Sequence, residues 1–498
     1  MHRRRFLQAA AAGSISALAP VRDASAQMAG MPGSGKGGGM MGQWAYAKAT
    51  WQTGLPLRRI PALANGSPLP GTFEGTLVAS PYSASLIPDH ATDLWGYNDS
   101  YPGPLIEVYE GQHVDIEFTN RLGIDSTIHW HGLAVPADQD GSPMDPVRPG
   151  ATRHYNFEVP PGSAGTYWYH PHAHLTNTLQ VGRGLAAPLI VRGADDPLRM
   201  LPELTLLVTS LAVDGDGRVF AGAVARPGMP VMMMGGVGEL LVNGQKHPVH
   251  ATTPGATERW RVINATPGHY LRLQLDGHRF AVVGTDGGLL SEPLPGLTEW
   301  VLAPAQRVEI VVTVATQPSA RFWLRDLGQG GWMGTGAGAA LMAIETGAGP
   351  AQPRVDVPAY LRPIADIGPA SARQQIVLSM SGMGASGRFL INGRSFDMNR
   401  VDLETVVGRV ELWDLINTTY MDHPIHVHGT QFQVVGRTVR GLAAPIPYVA
   451  WLDTVNVPAG ETVTINIRQP LPGKRMFHCH ILPHEDAGMM AVLNAFAV

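Results

Sequence analysis

Three stretches of this chain repeat one another, and a repeat of that length admits few folds. Leu390–Gly393 reads Leu-Ile-Asn-Gly and is followed by a strand-like run, Val410–Asn417, that ends in asparagine. Leu241–Gly244 reads Leu-Val-Asn-Gly and is followed by Glu258–Asn264. Tyr97-Asn98 is followed by His113–Asn120. Phe280–Gly284 echoes Phe432–Gly436, and Pro149, Pro304 and Pro458 each open an alternating segment. Trp168, Trp323 and Phe477 follow those prolines at one common interval. Short alternating runs between turns predict a β-sandwich for each copy. The 59 glycines, 41 prolines and only 15% charged residues suit such a loop-rich all-β chain. Each copy is far longer than a solenoid repeat, so the expectation is three consecutive domains, 44–196, 197–356 and 357–498.

The repeat also separates scaffold from chemistry. His131-Gly132 follows Asn120 as His428-Gly429 follows Asn417, whereas the middle copy has Asp276-Gly277. After the aromatic, the first copy has His170-Pro171-His172 and the third has His478-Cys479-His480, but the middle has Leu324-Arg325-Asp326. Leu271–Gln274 stands where the third copy has His423 and His426. Structural histidines would recur in all three copies, and these do not. A His-x-His pair on a strand points both imidazoles to one face, where they can share an ion.

The single cysteine, Cys479, sharpens this. His484 and Met489 lie close behind it. A thiolate, imidazoles and a weak thioether form the donor set of a blue copper site. His478 and His480 flank the cysteine and point to the opposite side, toward a second site. One cysteine forms no intrachain disulfide, and a metal–thiolate bond gives it a purpose.

On His129-Trp130-His131-Gly132, His170-Pro171-His172, His423–Gly429 and His478–His484, the chain resembles the three-domain multicopper oxidases over nearly all of its mature length. Within them it is similar to bacterial laccases and copper-efflux (cuprous) oxidases. The resemblance implies three cupredoxin-like Greek-key β-sandwiches and four copper ions. It implies His423, Cys479 and His484 at a type 1 copper with Met489 axial, and His129 and His426 at a type 2 copper. It implies His131, His170, His172, His428, His478 and His480 at a type 3 pair, between the first and third domains. It further implies one-electron oxidation of a phenolic or aromatic reductant, or of Cu(I), through an exposed edge of His484 or His423, with dioxygen reduced to water. Asp140 and Glu485 match acidic positions used for proton supply; Asp140-Gly141 also reads as a surface turn.

Arg3-Arg4-Arg5-Phe6-Leu7, an apolar run and Ala24-Ser25-Ala26 predict a twin-arginine signal over 1–26, hence a periplasmic or otherwise extracytoplasmic protein. A Gly/Met-rich tail, 27–43, follows. No apolar run is long enough to span a bilayer. The net charge is −4, and nothing basic points to nucleic acid. An active monomer is expected. Met229–Met234 and the tail methionines suit Cu(I) gathering or plain gap filling. Met421 coincides with a substrate-copper position of cuprous oxidases, but Thr419 stands where they carry an acid. Gly328–Gly338 reads as a mobile loop, and Trp44 and Trp51 as docking the start of the first domain. A copper-storage protein without turnover, or a relative that has lost its coppers, are the competing functions; the complete ligand set speaks against the latter.

Overall fold

The structure is a computed structural model that describes residues 50–213, 218–219, 238–328, 338–382 and 387–498. The signal segment, the Gly/Met tail, Trp44, Met229–Met234 and residues 329–337 lie outside the described residues. Trp51 packs against a buried cluster that includes Ile87, Leu94 and Tyr101 of the first stretch.

Among the described residues, six sheets form from three successive stretches of chain, two sheets each. In the first sheet of each stretch, the opening strand runs parallel to the asparagine-ended strand. Thr72–Ile87 pairs with His113–Asn120, Glu203–Leu211 with Thr257–Asn264, and Ala372–Ser381 with Glu411–Asn417. The register is the same three times: Ala79, Val208 and Leu378 oppose Asn120, Asn264 and Asn417. Parallel pairing needs a long crossover, and here the crossover passes through the second sheet, which closes each sandwich.

The recurring asparagines explain why the sequence keeps them. Asn98, Asn243 and Asn392 sit at φ 53°, 50° and 49°, a left-handed conformation that asparagine tolerates. Each side-chain oxygen accepts a strand N–H, from Val78, Leu207 and Val377 respectively. Asn120, Asn264 and Asn417 each donate from Nδ2 to two carbonyls, tying the strand end to the loop that leads into the second sheet. Trp260 and Trp413 fill matching core positions, and their indole N–H groups donate to Glu258 and Glu411 at 2.8 and 2.9 Å. Truncating such a tryptophan to alanine costs about 3–5 kcal/mol.

The second sheets carry the strands that matter for chemistry. His129–His131 pairs with Gly165–His170, and His423–Val427 with Gly473–Cys479. The middle copy pairs Leu271–Leu275 with Arg321–Asp326. Counting from the proline places Leu324-Arg325-Asp326 in the position of His478-Cys479-His480. The register differs by one: Arg325 opposes Gln274 as His478 opposes His426, and Asp326 lies where Cys479 lies.

Candidate metal centre

Strand register assembles the first half of the site. His129 opposes His170 in one sandwich, and His426 opposes His478 in another. The two pairs then meet across the sandwich boundary. His129 Nε2 lies 3.3 Å from His426 Nε2. His478 Nε2 lies 3.0 Å from His172 Nε2 and 3.1 Å from His428 Nε2.

The His129–His426 and His428–His478 contacts are not hydrogen bonds between neutral rings. His129 Nδ1 donates to the Asp140 carbonyl, and His426 Nδ1 donates to the Asp453 carbonyl. His428 Nδ1 donates to the Asp140 carboxylate, and His478 Nδ1 to the Cys479 carbonyl. A neutral imidazole has one proton, so the facing Nε2 atoms of His129, His426, His428 and His478 are bare lone pairs. Burial pushes His428 well below its ordinary value and takes His426 to about 4, so extra protons do not fill the gap. Lone pairs at such separations repel unless a cation lies between them. Buried His131 Nδ1, His170 Nε2 and both His480 nitrogens also have no hydrogen-bond partner among the described residues. The His480 ring lies 4.9 Å from that of His131 and 5.3 Å from that of His170. Imidazole lone pairs converging in a dry interior fit transition-metal ions.

A second group gathers on the other face of the Gly473–Cys479 strand. Cys479 Sγ lies 3.5 Å from His423 Nδ1 and 3.7 Å from His484 Nδ1, and the two nitrogens are 3.3 Å apart. Burial pushes the Cys479 thiol up, so a thiolate forms there only beside a positive charge. The short helix Leu482–Asp486 carries His484. Met489 is fixed by two backbone bonds, its N–H to the His484 carbonyl and its carbonyl from the Cys479 N–H.

Both expected acids are buried beside the imidazoles, so Asp140 is not a surface turn. Glu485 accepts from Asn177, lies 3.1 Å from His478 Nδ1 and 3.5 Å from His172 Nε2. Burial raises its carboxyl, but the neighbouring His478 and His172 and the hydrogen bonds from His478 and Asn177 bring it to about 2.

A third acid escaped sequence reasoning. Asp453 Oδ1 lies 3.0 Å from His131 Nε2. Arg307, from the middle sandwich, donates to that oxygen at 2.8 Å and to the Thr166 carbonyl of the first sandwich. One guanidinium thus ties three sandwiches together behind His131. Burial raises the Asp453 carboxyl, but Arg307 pulls it well below the usual range. Asp286, on the other side of Arg307, is pushed up to about 7 by burial, against the pull of Arg307. The only trace in the sequence is an acid directly before the short stretch Thr454–Val457, Thr-Val-Asn-Val. The matched glycines after His131 and His428 have a reason too. A Cβ at Gly132 would collide with Arg307 and Asp453, and one at Gly429 with the Arg475 guanidinium.

One expectation fails. His423 and His484 were expected to present an exposed edge, but both are 0% exposed. Thr419 Oγ1 covers the outer nitrogen of His423 at 2.9 Å, and Phe389 stacks on His484 with ring centres 3.9 Å apart. Met421 is also buried, at 2% exposure. Asp422 turns away from His423 to accept from Asn456 and the Ala459 N–H.

Known proteins share both the chain and the fold. Family profiles described as multicopper oxidase match residues 81–196, 208–345 and 369–496. A structure of a Campylobacter jejuni multicopper oxidase, described as a metallo-oxidase, is 34% identical with a TM-score of 0.83, covering 90% of this chain and 96% of that one. The laccase of Bacillus subtilis is 30% identical, covering 81% of this chain and 90% of its own length. A multicopper oxidase of Staphylococcus aureus is 29% identical, covering 84% and 88%.

Proposed function

The chain belongs to the multicopper oxidase family, oxidoreductases that use dioxygen, and on that premise we propose a laccase-type oxidase of small phenolic or aromatic reductants. His423, Cys479, His484 and Met489 would hold a type 1 copper. His129 and His426 would hold a type 2 copper, and His131, His170, His172, His428, His478 and His480 a type 3 pair. Bound there, copper supplies one-electron redox chemistry, drawing electrons singly from the reductant and delivering four to dioxygen, which leaves as two waters. The observation that carries the reading is the two pairs of bare Nε2 lone pairs, His129 facing His426 at 3.3 Å and His428 facing His478 at 3.1 Å.

The protein's own groups do the rest. Cys479 lies between His478 and His480, so the backbone of a single residue joins the two donor sets. Burial of every cluster imidazole excludes bulk water. Asp140 holds the His428 ring through Nδ1, as carboxylates beside metal ligands do. Glu485, next to His172 and His478, is placed to pass protons toward reduced oxygen.

The cuprous-oxidase alternative is disfavoured by two side chains. Thr419 offers a hydroxyl already engaged with His423, not a carboxylate, and Met421 is buried. Arg3-Arg4 and the apolar run behind them support export through the twin-arginine route to the periplasm or another extracytoplasmic space. No helix among the described residues is long and apolar enough to cross a membrane. The domain limits 44–196, 197–356 and 357–498 and an active monomer are part of this reading.

Oxygen consumption by the copper-loaded protein tests it, with a phenolic dye and separately with Cu(I). Faster, saturable uptake with the dye is expected. Preference for Cu(I) would replace the reading with a copper-detoxifying oxidase, and no uptake with either would leave copper storage.

A further inference from the structure

Thr419 completes a turn that the middle sandwich also contains. Asn417 Oδ1 accepts the Thr419 N–H at 2.9 Å and the Thr419 hydroxyl at 2.8 Å. Asn264 Oδ1 accepts the Thr266 N–H at 3.2 Å and the Thr266 hydroxyl at 2.8 Å. Both hydroxyls also sit beside a loop carbonyl and a loop N–H. For Thr419 both belong to Met421, at 3.0 and 3.2 Å. For Thr266 both belong to His269, at 2.9 and 3.0 Å. The first sandwich has Leu122 at this place, with only the backbone bond to Asn120. The threonine is therefore a turn device that works where no metal donor follows it.

In the third sandwich alone, the hydroxyl has one more neighbour, His423 Nε2 at 2.9 Å. A hydroxyl has one proton and two lone pairs. Its proton faces two groups that only accept, Asn417 Oδ1 and the Met421 carbonyl. It therefore meets His423 as an acceptor, and the imidazole proton belongs on Nε2. His423 Nδ1 is then a bare lone pair, aimed at Cys479 Sγ and His484 Nδ1.

We propose that Thr419 is a positioning residue for the Cys479 centre: its hydroxyl fixes the His423 tautomer, commits Nδ1 to the metal and raises the donor strength of the ring. This rests on reading His423 as a copper ligand. An acceptor at Nε2–H makes the ring more electron-rich, which favours the oxidised metal over the reduced one.

The internal repeat supplies the control. Thr419→Val, Thr419→Ser and Thr266→Val are compared in the copper-loaded full chain. The readouts are blue colour under chelator competition, the oxidised-to-reduced ratio of the blue centre at a fixed redox poise, and chemical denaturation. Thr419→Val is expected to weaken copper retention at the blue centre by roughly 10–100-fold and to shift the ratio toward the reduced form. Thr419→Ser should restore both. Thr266→Val should lose similar folding stability with colour and ratio unchanged. Colour and ratio in Thr419→Val equal to those of Thr266→Val would overturn the proposal. A wild-type protein without blue colour would instead reject His423 as a copper ligand, and this proposal with it. If Thr419→Val does not fold, nitrogen NMR of the metal-free wild-type chain decides: protonated Nε2 on His423 is expected, and protonated Nδ1 overturns it.

Discussion

The middle and third sandwiches are two answers to one backbone. They share the left-handed Asn243 and Asn392, the Asn264 and Asn417 ties, and the Trp260–Glu258 and Trp413–Glu411 pairs. Where the third places Met421, His423 and Cys479, the middle places His269, Leu271 and Asp326. His269 Nε2 bonds Asp326 at 2.9 Å, so a hydrogen-bonded His–Asp pair occupies the ground held by the sulfurs of Met421 and Cys479 in the other copy. The sandwich itself does not need a metal; the fold is a frame that a few side chains convert into a centre. The middle copy still serves the cluster, through Arg307 on Asp453.

Cys479→Ser tests the difference most severely. Blue colour and dye oxidation should vanish while denaturation of the metal-free chain stays near wild type; retained colour would reject the thiolate as a donor. The same loss from any change at Asp326 would contradict the comparison.

Arg307→Met tests the service of the middle copy. It leaves Asp453 buried without its cation, expected to cost about 3–5 kcal/mol in chemical denaturation. Copper content at the histidine cluster should fall while blue colour remains. An unchanged midpoint would mean that Asp453 finds another partner.

Glu258→Gln and Glu411→Gln test the shared frame. Each weakens one buried indole bond, together with the bonds from His250 and Thr252 to Glu258 or from Thr405 and Arg409 to Glu411, with an expected loss of about 1–3 kcal/mol. The two losses should agree, and a much larger one in the third sandwich would show that its core depends on the metal donors.

Acid should separate the copies more gently. In the metal-free protein, burial lowers His423 to about 3 and His426 to about 4 from 6.5. The unfolded chain then binds protons that the folded chain does not, so stability is full above 6.5 and declines as pH falls toward 4 and 3. In the middle copy, burial raises Glu309, but Arg259 and Arg261 bring it down to about 2 from 4.5. Its contribution is present above 4.5 and fades toward 2. Denaturation midpoints against pH should show both limbs, and Glu309→Gln should flatten only the lower one.

Much of this was legible in one dimension. The triplication, the all-β class and the histidine strings follow from spacing, because strand alternation and turn chemistry are local. His129, His131, His478, Cys479 and His480 could be placed on faces by period alone. Asp453 and Arg307 could not. Their partners come from other sandwiches, and no local period links Arg307 to Asp453 or to Thr166. The Thr419 hydroxyl meets His423 within its own loop, and only the folded path of that loop shows it. The covered edges of His423 and His484 are likewise a matter of packing by Thr419 and Phe389. The sequence by itself determined which atoms can bind a metal. Only the tertiary structure decided which nitrogen of each ring faces it, since that depends on where the other nitrogen finds its acceptor.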